Sequence, residues 1–450
     1  MKQVDVAIIG AGTSGAMLAE RIAKRGHSVT VIDKLTREKI GTKYDIFHIE
    51  EKEFARFGIP RPVKGDPEWA FEFEKNYTAD PTNRFQALAI DPIVGLHMHE
   101  YTALLNDRAI AAGAQIEYGA EFRSFLFDGD NKICGLRYTQ DGKEQNLGAR
   151  VTVDCSGMFT KARTALPEDC PVENFVLSDE DMFYVLLRYV KLRHPEDYLE
   201  GSCGWPFFKS WIAPCEDPTG AIVGIGACHS YDYAEEMFGE MFRHIELPAH
   251  DIVRVERGCT PFTRPPYSFV TDRFVVSGDA ACLTKPINGE GVTSSMAHLT
   301  IVANVLDRRL RTNDLSKEAL WEINVKYNKA QGADFASTRA LLTGVINAAK
   351  LEEFTFAFES GMISDELMNA MNAGPELKLS PVFLMKAAAT LGAGILTGKV
   401  SRATIKAAGE AVKNANALKA LYLNFPRDPS GLDAWRAEAD RLWTTVGKIR

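Results

Sequence analysis

No Cys-x-x-Cys pair occurs among the eight cysteines of this 450-residue chain, which stand singly at 134, 155, 170, 203, 215, 228, 259 and 282. That scatter argues against a zinc site or a disulfide framework and suits free thiols in a reducing compartment. Blocks of five or six basic residues are also missing. With 52 Lys and Arg against 60 Asp and Glu, the net charge is -8, so no nucleic acid is expected as a partner. The longest apolar stretch, from Pro381 to Gly398, is broken by Lys386 and three glycines. It falls short of the roughly 20 residues that a spanning helix needs, and could touch a membrane surface but not cross one. Met1 to Asp5 carries no charged lead and apolar run of a signal peptide, which points to a cytoplasmic protein, with peripheral contact to a membrane as the alternative. A nucleophile elbow, a His-Glu-x-x-His and a Walker-type Gly-Lys-Ser/Thr are all lacking, which demotes hydrolases and phosphoryl-transfer enzymes.

What is present is an ordinary globular balance, 46% hydrophobic and 25% charged, over a length that fits two or three domains of about 150 residues each. Val4 to Ile9 is a short apolar run that reads as a strand. Gly10-Ala11-Gly12-Thr13-Ser14-Gly15 follows, before Met17, Leu18, Ile22 and Ala23 at helical spacing. Ser28 to Ile32 is a second strand ending in Asp33, with Lys34 next to it. This βαβ unit has the marks of a dinucleotide site: glycines that allow a sharp turn and close backbone approach, a helix N-terminus that favours phosphate, and an acid for a ribose. A glycine turn without a ligand is the competing reading. Far along the chain, Arg273 to Ser277 forms a strand running into Gly278-Asp279-Ala280-Ala281 and then Pro286-Ile287-Asn288-Gly289-Glu290-Gly291-Val292. That is an acid followed by a second glycine-rich helix start.

Between these motifs, residues 41 to 92 show little periodicity, and Glu100 to Ala112 reads as a helix. Strand-like pieces follow at 115–118, 122–127, 132–138 and 149–153, a meander returning to the main sheet. From Met182 to Val255 the runs Phe183 to Leu192, Phe207 to Ile212 and Ala221 to Ala227 suggest an antiparallel sheet, with no helical pattern of comparable strength. Beyond Gly291 the pattern turns helical, most clearly at 316–329, 338–349, 385–396 and 432–446.

Gly10 to Asp33, Asp154-Cys155-Ser156-Gly157 with Arg163, and Gly278 to Gly291 resemble, in order and separation, the three nucleotide motifs of FAD-dependent oxidoreductases of the aromatic hydroxylase type. Gly-Asp-Ala-Ala followed by Pro-x-x-Gly-Glu-Gly is most similar to the geranylgeranyl reductase family within that superfamily. The resemblance implies an α/β fold: a Rossmann-like FAD-binding domain, an antiparallel β-sheet substrate domain and a helical C-terminal region. The expected boundaries are 1–175 and 263–310 for the two parts of the FAD domain, 176–262 for the sheet with a contribution from about 80–98, and 311–450 for the helices. It implies that FAD is the cofactor, that Asp279 holds the ribityl chain, and that backbone N–H groups from Gly289 to Val292 face the pyrimidine edge of the flavin. NAD(P)H or a reduced electron-transfer protein is implied as electron donor.

The chain also departs from the family. Where the family has Tyr-x-Trp-x-Phe-Pro, this sequence has Lys209-Ser210-Trp211-Ile212-Ala213-Pro214, keeping Trp211 and Pro214. Lys209, Trp211 and Pro214 are therefore the substrate-side candidates, with a core role for Trp211 as the competing reading. A Cys-Gly expected beside the flavin is replaced by Gly41-Thr42-Lys43-Tyr44-Asp45, and Met98 stands where the superfamily places an arginine. His97, His99 and Tyr44 are the candidates for proton transfer or flavin contact, with a structural or capping role as the stronger reading of the two histidines. Two histidines without a third ligand make no case for a metal. The function expected is hydride transfer from flavin N5 to carbon–carbon double bonds of an apolar, isoprenoid-like small molecule. A flavin monooxygenase acting on an electron-rich compound is the alternative, and a flavoprotein whose helical third docks a partner is a third reading. The lysines interleaved through the C-terminal helices suit anionic lipid, a partner, or plain solvent. Oligomeric state is not legible.

Overall fold

A computed structural model of the chain describes residues 1–197, 202–205, 209–245, 247–372 and 380–448, with only the backbone given for 197, 202–205, 244 and 372. Part of the strand expected over Phe207 to Ile212 lies outside the described residues, and the observed strand is Ser210–Ala213.

The first strand, Lys2–Ile9, sits in the middle of a parallel sheet. It pairs with Val29–Asp33 on one side and with Lys143–Asp154 on the other. Phe274–Val276 extends the sheet beyond 143–154 and Gln115–Tyr118 beyond 29–33, both parallel. Val6, Ala7, Ile8 and Val31 have no exposed surface, as expected of parallel strands covered on both faces, whose sequences read as unbroken apolar runs. The meander appears as Glu121–Phe127 and Ile133–Gln140, antiparallel to each other and joined to 143–154.

A second sheet of eight strands among the described residues runs in the order 250–261, 182–192, 220–228, 210–213, 202–205, 69–79, 86–97 and 46–50. Its pairs are antiparallel except that 202–205 lies parallel to 69–79. Three of its strands come from the first hundred residues, more than the 80–98 segment expected. Their alternation is hidden in the sequence by register shifts at Trp69/Phe71 and Phe73/Lys75, which break the period of two.

The sheet's two faces are served by adjacent residues. Leu186 faces a cluster with Ile225, Phe238 and Met241, whereas Leu187 packs with Phe71 and Ile222 on the opposite face. Phe238 and Met241 belong to helix Tyr231–His244, which the sequence reading did not foresee. Glu235, Glu236 and Glu240 crowd its surface and dilute the apolar stripe, but Ser230 caps its start by accepting from Tyr233 N–H.

The C-terminal helices are not a detached unit. Trp321, Tyr422, Phe425 and Trp435 share one core cluster with the parallel strands, and Trp321 donates to the carbonyl of Pro426 at 2.9 Å. Helices 402–423, 351–359 and 365–372 fall within the region expected to be helical, though not among its clearest segments. Helix Pro381–Leu396 begins with Ser380 as cap and Pro381 in its first turn. Among the described residues no helix is long and apolar enough to cross a membrane.

Candidate active site

The two sheets enclose a continuous cavity of about 1610 Å³. Ordinary small-molecule pockets hold about 300–1,000 Å³, so there is room for a large cofactor and a substrate together. All three motifs reach it. Gly12, Thr13, Ser14 and Lys34 line it from the first, Gly157 from the second, and Asp279, Gly289, Glu290, Gly291 and Val292 from the third.

Two helices begin at this cavity without a side-chain cap and without an acid in their first turn: Thr13–Ala23 after Gly12, and Val292–Thr312 after Gly291. Their first N–H groups are left for something else, and helix N-termini favour anionic groups. Asp279 adds a third unmet demand. Its carboxylate lies inside the cavity, burial pushes its pKa up to about 6, and no described residue donates a hydrogen bond to it. A dinucleotide with pyrophosphate, ribityl hydroxyls and a flavin carbonyl fits this set of donors and acceptors.

Behind the lining, the other motif residues do structural work. Gly10 sits at φ +103° with its Cα against the carbonyl of Cys155, a place closed to any side chain. Asp33, expected at a ribose, does not line the cavity. Its two oxygens accept from Ala11 N–H at 2.7 Å and Leu35 N–H at 2.8 Å. Those bonds lower its pKa but burial outweighs them, so the net shift is upward. Asp154 accepts from Ser156, Thr160 and the Arg163 N–H, and Arg163 reaches on to the carbonyl of Ala280 at 2.8 Å. The second motif thereby anchors the third. Ala11, Gly15, Gly278 and Pro286 lie outside the cavity wall.

The substrate-side candidates divide. Trp211 lines the cavity with its ring laid over Gly224 and packs against the cluster of Phe71, Leu187 and Ile222, so it is wall and core at once. Pro214 does not reach the cavity. Lys209 does, but its ammonium lies beside Gly289 and over the Phe183 ring, 5.0 Å from the centroid. Met98 also lines the cavity.

The histidines take up structural positions. His97 ends strand Gln86–His97 and His99 lies in helix Met98–Ala111, so the two do not project alike. His97 Nδ1 lies 3.0 Å from Asp45 Oδ1 and His99 Nδ1–H donates to the carbonyl of Ile40 at 2.6 Å. Neither lines the cavity; both tie the 40–45 loop to the helix start. Tyr44 does line it, against Gly258, with burial driving its phenol pKa upward. Among the described residues no three His, Cys, Asp or Glu side chains come together as metal ligands.

A polar cluster that no motif announces lies at one end. His48 and Lys285 contact Glu290 at 3.2 and 3.6 Å, and Lys285 is 3.9 Å from Glu50. His48 and Lys285 hold Glu290 ionised, at about 2, against the opposing effect of burial. Asp91 beside them is raised to about 6 by burial first and Glu50 second. These residues come from strands 46–50 and 86–97 and the 285–290 loop, too far apart in sequence for spacing to reveal them. Part of the remaining wall is apolar, formed by Phe73, Ala89, Ile93, Leu187, Ile222 and, from helix 365–372, Met368 and Met371, with polar residues such as Asn76, Thr78 and Arg257 elsewhere in it.

Comparison with known proteins agrees with this geometry. Residues 3–198 match the family model of the FAD binding domain. The digeranylgeranylglycerophospholipid reductase of Sulfolobus acidocaldarius is 26% identical over 99% of this chain and 98% of its own length. That of Methanocella arvoryzae is 24% identical over 73% of this chain and 84% of its own. Among solved structures, a geranylgeranyl bacteriochlorophyll reductase-like protein of Thermoplasma acidophilum aligns with TM-score 0.68 and 16% identity, covering 89% of this chain and all of that one. A myxobacterial FAD-dependent chondrochloren halogenase aligns at TM-score 0.58 and 16% identity, over 92% and 97%. These two show the shared fold.

Proposed function

We propose that the chain is a member of the geranylgeranyl reductase family of FAD-dependent oxidoreductases and that it saturates double bonds in the isoprenoid chains of a lipid. The observation that carries this reading is the single cavity that joins the three nucleotide motifs to a wall of apolar side chains. Bound FAD supplies a hydride at N5. Gly12 to Ser14 and the uncapped start of helix 13–23 would hold the pyrophosphate, Asp279 would accept from the ribityl chain, and Gly289 to Val292 would meet the pyrimidine edge. Phe73, Trp211 and Ile222 would hold the alkene in a dry space, where one carbon takes the hydride and the other takes a proton drawn from solvent. Reduced nicotinamide or an electron-transfer protein provides the electrons.

Such a substrate lives in a bilayer, and the outer surface suits one. Helix Pro381–Leu396 exposes Val382, Leu384, Met385 and Leu396 at 70, 53, 67 and 89%. From 377 to 409 the sequence contains Lys378, Lys386, Lys399, Arg402 and Lys406 but no Asp or Glu, in a chain that is acidic overall. An apolar face with basic flanks fits an anionic lipid surface. Helix 365–372, whose Met368 and Met371 line the cavity, hydrogen-bonds through Asp365 and Asn369 to strand 86–97, placing the cavity close in sequence to this helix.

The test is anaerobic. Dithionite-reduced holoprotein is mixed with a digeranylgeranylglycerol phospholipid in detergent, and flavin absorbance is followed before oxygen is admitted. Reoxidation without oxygen, with a saturated product by mass spectrometry, is expected. Reoxidation only by oxygen, with a hydroxylated product, overturns the proposal in favour of a monooxygenase.

A further inference from the structure

Lys209 is the residue by which this chain departs from its family at the start of the aromatic strand, and its placement is unusual. Its backbone adopts φ +45°, a left-handed conformation uncommon for a lysine, with its carbonyl held by Gly226 N–H at 2.9 Å. From there the side chain enters the cavity, and the ammonium stops beside Gly289, 3.2 Å from where a side chain on that glycine would begin. Phe183 supports it through its ring face.

No ion pair joins Lys209 to any described residue, although Glu290 is next in sequence to Gly289. Glu290 is already engaged by His48 and Lys285. A buried ammonium with only a through-space attraction to Glu290 is costly to maintain, and a negative group from outside the chain would stabilise it. Gly289 belongs to the loop that, in the FAD reading above, meets the flavin's pyrimidine edge. Two-electron reduction with uptake of one proton leaves a negative charge at N1 and the neighbouring carbonyl of that edge.

We propose that Lys209 is the cation that pairs with the reduced flavin at its pyrimidine edge and thereby sets the cofactor's reduction potential. This rests on the FAD reading and moves Lys209 from the substrate side to the cofactor. The backbone N–H groups of the Val292–Thr312 helix start provide a fixed partial charge, to which Lys209 adds a full and titratable one. Burial brings the ammonium down to about 8, Glu290 and Cys228 acting against that fall and Lys285 with it. The charge is therefore present at neutral pH and is lost as pH rises through about 8 when no anion pairs with it.

The test uses holoprotein, sulfite as a probe of positive charge at this edge, and the midpoint potential measured against reference dyes. Lys209→Met is expected to retain FAD, to weaken sulfite binding at least about tenfold, and to lower the two-electron reduction constant by about tenfold, or about 30 mV. Lys209→Arg is expected to stay close to the native protein. The difference between native and Lys209→Met proteins should shrink as pH rises past about 8 and be lost only about two units higher, because tenfold stronger pairing with the reduced flavin raises the ammonium's own pKa by about one unit; sulfite's own titration cancels in this comparison. Equal sulfite affinity and equal potential with FAD bound overturn the proposal, as does an arginine variant no better than methionine. A raised KM with unchanged potential returns Lys209 to the substrate. A purified chain that takes up no FAD on reconstitution rejects the flavin reading and this inference with it.

Discussion

The side-chain amide of Asn106 donates to the carbonyl of Ala11 at 2.9 Å, pinning the glycine motif to the helix that follows the His97 strand. The same amide donates to Thr102 at 3.0 Å, and Asn106 is only 2% exposed. Together with Asp33, which holds Ala11 by its N–H, it fixes the loop from both sides. Asn106→Leu removes the bond while filling the space. A buried hydrogen bond of this kind contributes about 1 kcal/mol, so FAD affinity should fall about fivefold in a fluorescence titration of apoprotein. Unchanged affinity means that Asp33 alone sets the loop.

Asp279 has no donor among the described residues, and its carboxylate is free to accept from a ligand hydroxyl. Asp279→Asn removes the charge that strengthens such a bond, worth about 1.5–3 kcal/mol for a charged partner. Flavin content after purification should drop, with affinity about 10- to 100-fold weaker. Full flavin retention excludes Asp279 from the cofactor site.

His97 and Asp45 make a pH-dependent stability contribution rather than a catalytic one. Asp45 first, and its charge, raise the His97 pKa, opposed by burial, while His97 heads the causes lowering that of Asp45. The histidine's contribution is fully present below its unfolded value of 6.5 and is lost as pH rises through the folded value. The carboxylate's contribution is present above 3.8 and is lost as pH falls below it. For a half-exposed pair worth under about 1 kcal/mol, His97→Gln should lower Tm by about 1–2 °C at pH 6, and by less at pH 8.5. Flavin reoxidation by substrate should be unaltered. A collapse in turnover at constant Tm places His97 in the chemistry after all.

Leu384→Glu combined with Leu396→Glu puts two charges on the exposed face of helix 381–396. Sedimentation with vesicles containing anionic phospholipid should fall at least fivefold, since each insertion of a charge opposes burial in the interface. Turnover of a detergent-dispersed substrate should hold. Equal sedimentation of native and variant proteins removes this helix from the membrane reading.

What the sequence alone determined are the features governed by local chemistry. Gly10 to Asp33 and Gly278 to Gly291 read as strand–turn–helix starts because glycine, helix N-termini and apolar runs act over a few residues, and the matching meander and helix 98–111 were legible for the same reason. Only the tertiary structure decided which side chains meet. His48, Glu50, Asp91 and Lys285 converge on Glu290 from separated segments, and a register shift hid the strand pattern at 69–79. Asn106 could have been suspected as a polar residue on the buried face that Tyr101 and Leu105 define, yet its partner lies 95 residues away. Trp211 and Lys209 are neighbours in one strand segment, but a left-handed turn at Lys209 sends its ammonium to Gly289 while Trp211 stays on the sheet. Side-chain direction there depends on backbone angles and on long-range packing, neither of which is written in residue order.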